Sequence, residues 1–247
     1  MTGRKPLKIC LAQLHPVRRD LDHNLALHLD VIERAAKAGA DLVLCPELSL
    51  VSYEPEDAAE LAMKLDDTHF DLIEQRSAEL DVVTAVGAPL EGIEGVTISM
   101  IILQGGRPRR AYAKQLLHTD ELPYFVPGPG PVLIEHHGHR LAPAICYESV
   151  QPEHARQAVD LGATVYGASV AKPGRAIDGA HAHYRKTASD SGLPVVFVNS
   201  VGPCDNFVAG GRSAAWNTEG QLLGELSATA PGCLMVDLAH ERAWIID

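Results

Sequence analysis

Asp41-Leu42-Val43-Leu44-Cys45-Pro46-Glu47 is the stretch on which the fold turns. It is apolar without alternation, short, and stopped by a proline, which is how a strand buried on both faces reads. Just upstream, Leu21, Leu25, Leu29, Ile32 and Ala36 recur at helical spacing, so a helix feeds this strand. Asp22 or Asn24 is placed to cap the start of that helix, and Gly39 to end it. Earlier still, Lys8-Ile9-Cys10-Leu11-Ala12-Gln13 reads as the first strand. Strand, helix and buried strand in that order form the unit of a parallel sheet.

The alternation continues downstream. A helix is predicted over 68–80 and a strand over 82–88, then a hairpin of 96–103 with 110–114 across Gln104-Gly105-Gly106-Arg107-Pro108. Residues 115–131 are rich in Pro and Gly and too long for a simple turn, so they are expected to cover a site. Strands flank His136-His137-Gly138-His139, the second ending in Leu141-Ala142-Pro143-Ala144-Ile145. A helix from Pro152 to about Leu161, a strand over 163–168, a helix over 177–191 and a strand over 194–199 follow. Shorter strands are predicted over 213–216, 222–226 and 233–238. The expected architecture is one α/β domain over 1–247, a four-layer α-β-β-α sandwich.

Composition narrows the function. The chain has 247 residues, 46% hydrophobic and 21% charged, enough for a sizeable core. Its 21 basic against 32 acidic residues give a net charge of −11, which argues against nucleic acid or an anionic membrane as partner. No apolar run approaches the roughly 18 residues of a membrane span. Residues 1–8 are basic without an apolar core, so no secretory signal is read there and a cytoplasmic protein is expected. Five cysteines (10, 45, 146, 204 and 233) form an odd set without CxxC spacing, which suggests neither a disulfide framework nor a zinc site.

Three apolar strands end on a reactive side chain: Glu47, Lys114 after Ala111-Tyr112-Ala113, and Cys146 after Ile145. Strand ends in α/β sheets hold side chains rigidly yet within reach of a ligand. A carboxylate, an ammonium and a thiol together suit nucleophilic catalysis, the lysine expected to lower the thiol's pKa and the carboxylate to carry its proton. Singly, each has an ordinary explanation: a solvated strand end, an edge lysine, a small core cysteine. His136, His137 and His139 have only Glu135 nearby in sequence and read as a solvated hairpin turn with Gly138 at its tip, not as a metal site. His181 and His183, two apart on a helix, point to different faces and read as surface or pocket rim.

The chain resembles the nitrilase superfamily, the carbon–nitrogen hydrolases with a Glu-Lys-Cys triad. The likeness rests on Cys45-Pro46-Glu47, on Tyr112-Ala113-Lys114 followed by Glu121 and Tyr124-Phe125-Val126-Pro127-Gly128, and on Ile145-Cys146-Tyr147-Glu148. It extends from the first strand to Gly220. Departures are Cys45 for the usual aromatic, an arginine missing before Asp190-Ser191-Gly192, and Asn217-Thr218 for Asp-Pro. The resemblance implies Cys146 as nucleophile, Glu47 as base, Lys114 with the Tyr147 N–H as oxyanion donors, and Glu121 as a second acid. It points to Tyr53, Tyr124, Tyr147, Ser169 and Lys172 as substrate-binding residues, with Arg175 beside them. It implies no cofactor, a small amide substrate, and a homodimer or larger assembly packed through the helix after Cys146. A long C-terminal tail is expected to be absent, because the chain stops soon after its last predicted strand. Alternatives are nitrile hydrolysis by the same triad, a histidine-based thiol protease, and a non-catalytic binding protein that keeps the fold.

Overall fold

The first strand forms where alternation places it, as β1 (Lys8–Gln13), and is buried because strands lie on both sides of it and helices and a second sheet cover its faces. The computed structural model describes residues 5–247, so the first four residues of the basic N-terminal stretch lie outside the description. Helix α1 (Leu21–Lys37) follows, then β2 (Leu42–Leu44), the short helix α2 (Ala58–Leu61), α3 (His69–Glu79) and strands β3 (Val83–Glu91), β4 (Val96–Leu103) and β5 (Arg110–Ala113). The second half runs β6 (Ile134–His136), β7 (His139–Ile145), α4 (Pro152–Asp160), β8 (Val165–Val170), α5 (Ile177–Ser191) and β9 (Val195–Asn199). It closes with β10 (Val201–Cys204), β11 (Phe207–Gly210), β12 (Ala214–Trp216), β13 (Leu222–Glu225), β14 (Gly232–Asp237) and β15 (Arg242–Ile246).

Two large sheets result. One has seven strands in the order β15-β14-β1-β2-β3-β4-β5, the other six in the order β13-β12-β9-β8-β7-β6. Helices α1 and α3 pack on the first and α4 and α5 lie on the side of the second, while β1 meets β9 between the sheets. This is the expected layering of helix, sheet, sheet and helix. Gln13 bridges the sheets: its Oε1 accepts the Ser213 N–H and hydroxyl, each at 2.9 Å, and its Nε2 donates to the Ser227 and Ala230 carbonyls.

Several local readings change. The cap of α1 is Asp20, whose carboxylate accepts the His23 N–H, rather than Asp22 or Asn24. Asn24 is buried and donates to the carbonyls of Val17 and Leu50. The buried face of α1 centres on Asn24, Leu25, His28, Val31, Ile32 and Ala35, so two polar residues occupy a stripe that an apolar count assigns to leucines. Gly39 does end the helix, at φ +81°. His181 is not a free rim residue; its ring packs edge-on against Phe197 and Trp216 and its Nε2 meets the Arg212 carbonyl. Asn217 rebuilds the turn that its Asp-Pro counterpart would make, accepting the N–H groups of Glu219 and Gln221.

Two glycines let backbones close in behind the strand tips. A Cβ on Gly87 of β3 would stand 2.4 Å from both the Pro46 carbonyl oxygen and the Leu48 nitrogen. One on Gly128 would stand 2.3 Å from the Ala113 carbonyl oxygen. Neither separation is possible between real atoms, so both positions require a hydrogen in place of a side chain.

Candidate active site

The tips of β2, β5 and β7 converge. Lys114, completely buried, donates to Glu47 Oε1 at 2.9 Å and to Glu121 Oε1 at 2.6 Å. An ammonium has three N–H donors, so one remains for a substrate oxygen. Glu47 Oε2 accepts the Ala171 N–H at 3.1 Å. Glu121 is held by two further donors, the Tyr53 hydroxyl at 3.0 Å and the His118 N–H at 2.7 Å.

Cys146 sits at the start of a 3-10 turn (Cys146–Val150) with φ +47°, a left-handed conformation costing about 1–2 kcal/mol for a residue with a Cβ. The sharp elbow lifts the thiol off the end of β7. It is held from below: the Ser149 hydroxyl donates to the Cys146 carbonyl at 2.5 Å and contacts the Tyr184 hydroxyl at 2.6 Å. A 3-10 turn gives the N–H groups of its first two residues, Cys146 and Tyr147, no acceptor within the turn. Those groups stand beside the thiol, where an oxyanion would form.

The thiol lies on the wall of a cavity of about 350 Å³ that also includes Tyr53, Glu121, Tyr147, Lys172, Arg175 and Phe207. The loop over 115–131 contributes His118, Asp120 and Glu121 to that wall, which matches its expected covering role. Two predicted binding residues lie elsewhere. Tyr124 is outside the wall and 38% exposed. Ser169 is buried, and its hydroxyl donates to the Cys45 carbonyl at 2.7 Å, tying the Glu47 strand to β8 across the two sheets. Asp205, Asn206 and Phe207 on the same wall come from the β10–β11 hairpin, which the sequence reading missed.

Lys114 lowers the thiol's pKa as expected, but burial and Glu47 outweigh it. The Cys146 thiol is pushed up to about 11, by burial first and then by Glu47, against the lowering charges of Lys172 and Lys114. Burial also raises the Glu47 carboxyl, opposed by Lys114. Burial works against the Lys114 charge, but Glu47, Cys146 and Glu121 outweigh it and hold the ammonium above the ordinary lysine range. Two carboxylates against one buried ammonium leave no surplus positive charge for a thiolate. Cys146 therefore rests as a thiol, and any attack by its sulfur would require a neighbouring group such as the Glu47 carboxylate to take the proton.

A second buried carboxylate holds the frame. Glu148 Oε1 accepts the Tyr112 hydroxyl at 2.6 Å and the Ile145 N–H at 2.7 Å, while Oε2 accepts the Gln115 and Leu116 N–H groups at 2.7 and 3.2 Å. One side chain thus fastens the residue before the nucleophile to the two residues after the lysine. The Tyr112 hydroxyl also meets His154 Nε2, whose other ring nitrogen meets the Tyr166 hydroxyl.

Comparison with known proteins agrees with this geometry. The carbon–nitrogen hydrolase family model matches residues 8–244. An amidase from Nesterenkonia sp. AN1 superposes with a TM-score of 0.86 at 28% identity, covering 94% of this chain and 92% of that one. A cysteine-to-alanine variant of that amidase, solved with butyramide, superposes equally well, with 95% and 92% covered. Another of its structures carries acrylamide added at the active-site cysteine. Among curated relatives, the glutamine-dependent NAD(+) synthetase of Aquifex aeolicus is 29% identical over 241 residues, 94% of this chain but 42% of that protein. The chain spans less than half the length of the curated relatives it matches. With the family pattern running from β1 to β15 and a thiol, a carboxylate and an ammonium meeting at three strand tips, this chain belongs to the carbon–nitrogen hydrolase family, within the nitrilase superfamily.

Proposed function

We propose that the chain hydrolyses the carbon–nitrogen bond of a small linear amide carrying an anionic group, an ω-amide being the best fit. The observation that carries this reading is the Cys146 thiol on the wall of a cavity, with the Glu47–Lys114 hydrogen-bonded pair buried at the neighbouring strand tips. Glu47 takes the thiol proton as sulfur attacks the carbonyl carbon. The third Lys114 N–H and the Tyr147 N–H hold the oxyanion. The intermediate collapses, the C–N bond breaks, and the departing amine takes the proton from Glu47, leaving a thioester on Cys146. Glu47 then takes a proton from water, whose oxygen displaces the sulfur and releases the acid and the free thiol.

Support for a substrate carboxylate comes from the mouth, where Lys172 and Arg175 share the wall with Cys146, while Asp120 and Asp205 on the same wall suit the ammonium of a zwitterionic ω-amide. Glutamine, on which the relatives are dependent by name, is an ω-amide of this kind. The cavity volume of about 350 Å³ suits a molecule of that size. A homodimer is proposed to form through α4 and α5, which border a groove lined by Ala155, Val159 and Thr187.

The test is an ammonia-release screen over ω-amides, carbamoyl amines, neutral aliphatic amides and nitriles, with Cys146→Ala as control. Highest kcat/KM on an ω-amide is expected, with none in the control. Turnover by Cys146→Ala removes the nucleophile assignment, and a preference for nitriles or neutral amides removes the substrate class.

A further inference from the structure

The β6–β7 hairpin turns through His137 (φ +49°) and Gly138 (φ +80°), as expected for a two-residue turn. The fold adds an acid that the sequence did not place there: Asp41, at the entry to β2. One ligand atom each from Asp41, His136 and His137 lie within 4.8 Å of one another. The two imidazoles lie against each other, centroids 3.8 Å apart and tilted by 33°.

The hydrogen bonding of this cluster is incomplete in a specific way. His136 Nε2 and His137 Nδ1 are both buried without a partner. His137 Nδ1 stands 3.3 Å from Asp41 Oδ1 but makes no hydrogen bond to it. Two atoms each bound about 2.05 Å from a tetrahedral ion lie about 3.3 Å apart, so the spacing is that of two ligands sharing one metal. Asp41 Oδ2 is already used, accepting the Lys8 N–H at 2.7 Å, which fixes the carboxylate and leaves Oδ1 free.

Gln104 supplies the next layer. Its Nε2 lies 3.4 Å from His136 Nδ1 while its Oε1 is buried and unpartnered. Half a turn of the amide, indistinguishable in shape, places Oε1 to accept an Nδ1–H. That fixes the Nδ1–H tautomer and leaves the lone pair of His136 on Nε2, the form a metal requires, while the amide NH₂ takes over the partnerless position. A cavity of about 270 Å³, lined by His136, His137 and Glu135 among others, gives access.

We propose that Asp41 Oδ1, His136 Nε2 and His137 Nδ1 bind one divalent cation of the zinc class, with water as fourth ligand. Two imidazoles and a carboxylate are the donor set that zinc, cobalt and nickel prefer over magnesium or calcium. The ion clips the two sheets together at one edge. Asp41 opens the strand that leads to Glu47, and the hairpin opens the strand that leads to Cys146. The site lies at the far end of β7 from the thiol, so the ion takes no part in chemistry at Cys146.

The experiment uses chelator-treated protein carrying Cys146→Ser, which removes the active-site thiol as a competing ligand. Zinc chloride is titrated by calorimetry, and cobalt chloride by visible absorption. One ion per chain, a tetrahedral cobalt spectrum and a rise in Tm with zinc are expected. His136→Ala and His137→Asn should each weaken zinc at least tenfold and abolish the Tm rise, asparagine being chosen because it tolerates positive φ. Absence of saturable binding, or binding that survives both substitutions in folded protein, overturns the proposal.

Discussion

Glu47 and Glu148 are both buried carboxylates beside strand ends, yet they are dressed differently. Glu148 receives four donors, three of them backbone N–H groups, and has no acceptor capacity to spare. Glu47 receives two, Lys114 and the Ala171 N–H, and the thiol adds to these only as a proton source. A carboxylate holds about four lone-pair sites, so the first is saturated and the second half-used. Saturation makes a fastener; spare capacity beside a thiol makes a base.

The sharpest way to break the contrast is to neutralise each in turn. Glu47→Gln should cut kcat by several powers of ten with the smaller loss of Tm, since the amide oxygen still accepts from Lys114 and only one N–H donor, that of Ala171, is left facing its NH₂. Glu148→Gln should do the opposite in proportion. It places an NH₂ group against the Gln115 and Leu116 N–H donors, costing about 3 kcal/mol of stability, with a smaller loss of kcat as Lys114 and Cys146 shift. Equal losses of Tm in the two variants would erase the distinction.

Lys172→Ala tests the mouth of the site. It removes the larger of the two charges that lower the Cys146 thiol, so alkylation by iodoacetamide at neutral pH should slow. KM for an anionic amide should rise about tenfold, with little change for a neutral one. An equal effect on both substrates would place Lys172 outside recognition.

The smallest effect sharpens the same lesson at a neutral group. His28 is buried in α1, with Nδ1 on the Asn24 carbonyl at 2.6 Å and Nε2 on the Ser49 hydroxyl at 2.9 Å, and burial lowers its pKa from 6.5 to about 4. The unfolded chain therefore binds this proton more tightly than the folded one. Stability from a neutral His28 is complete above pH 6.5 and is lost as pH falls toward 4, by about 3 kcal/mol at most. Denaturant titrations from pH 7 to 4 should show that slope, and His28→Gln should flatten it.

Much of this was legible from residue order. The strand over 8–13 and the helix over 177–191 fall where periodicity puts them, because a regular stripe of apolar residues has one way to be buried. The tips of β2, β5 and β7 were legible because each apolar run stops close to a reactive side chain, Glu47, Lys114 or Cys146. The β10–β11 hairpin was not: Gly202 and Pro203 interrupt its alternation, and its stability comes from Cys204 and Ala209 packing on a core assembled from distant segments. The sign of the thiol shift was equally hidden, since it depends on how many carboxylates the fold gathers around one lysine. Asp41 beside His137 was hidden for the same reason, the two being far apart in the chain.

Gly87 draws one further consequence from the packing behind Glu47. A single methyl group there, on a strand that never touches the cavity, would have to push the Pro46–Glu47 backbone forward. The base proposed at Glu47 is therefore inherited together with a blank position on its neighbour. In a library of random variants, Gly87 should prove as intolerant as the nucleophile itself while contributing no atom to the chemistry.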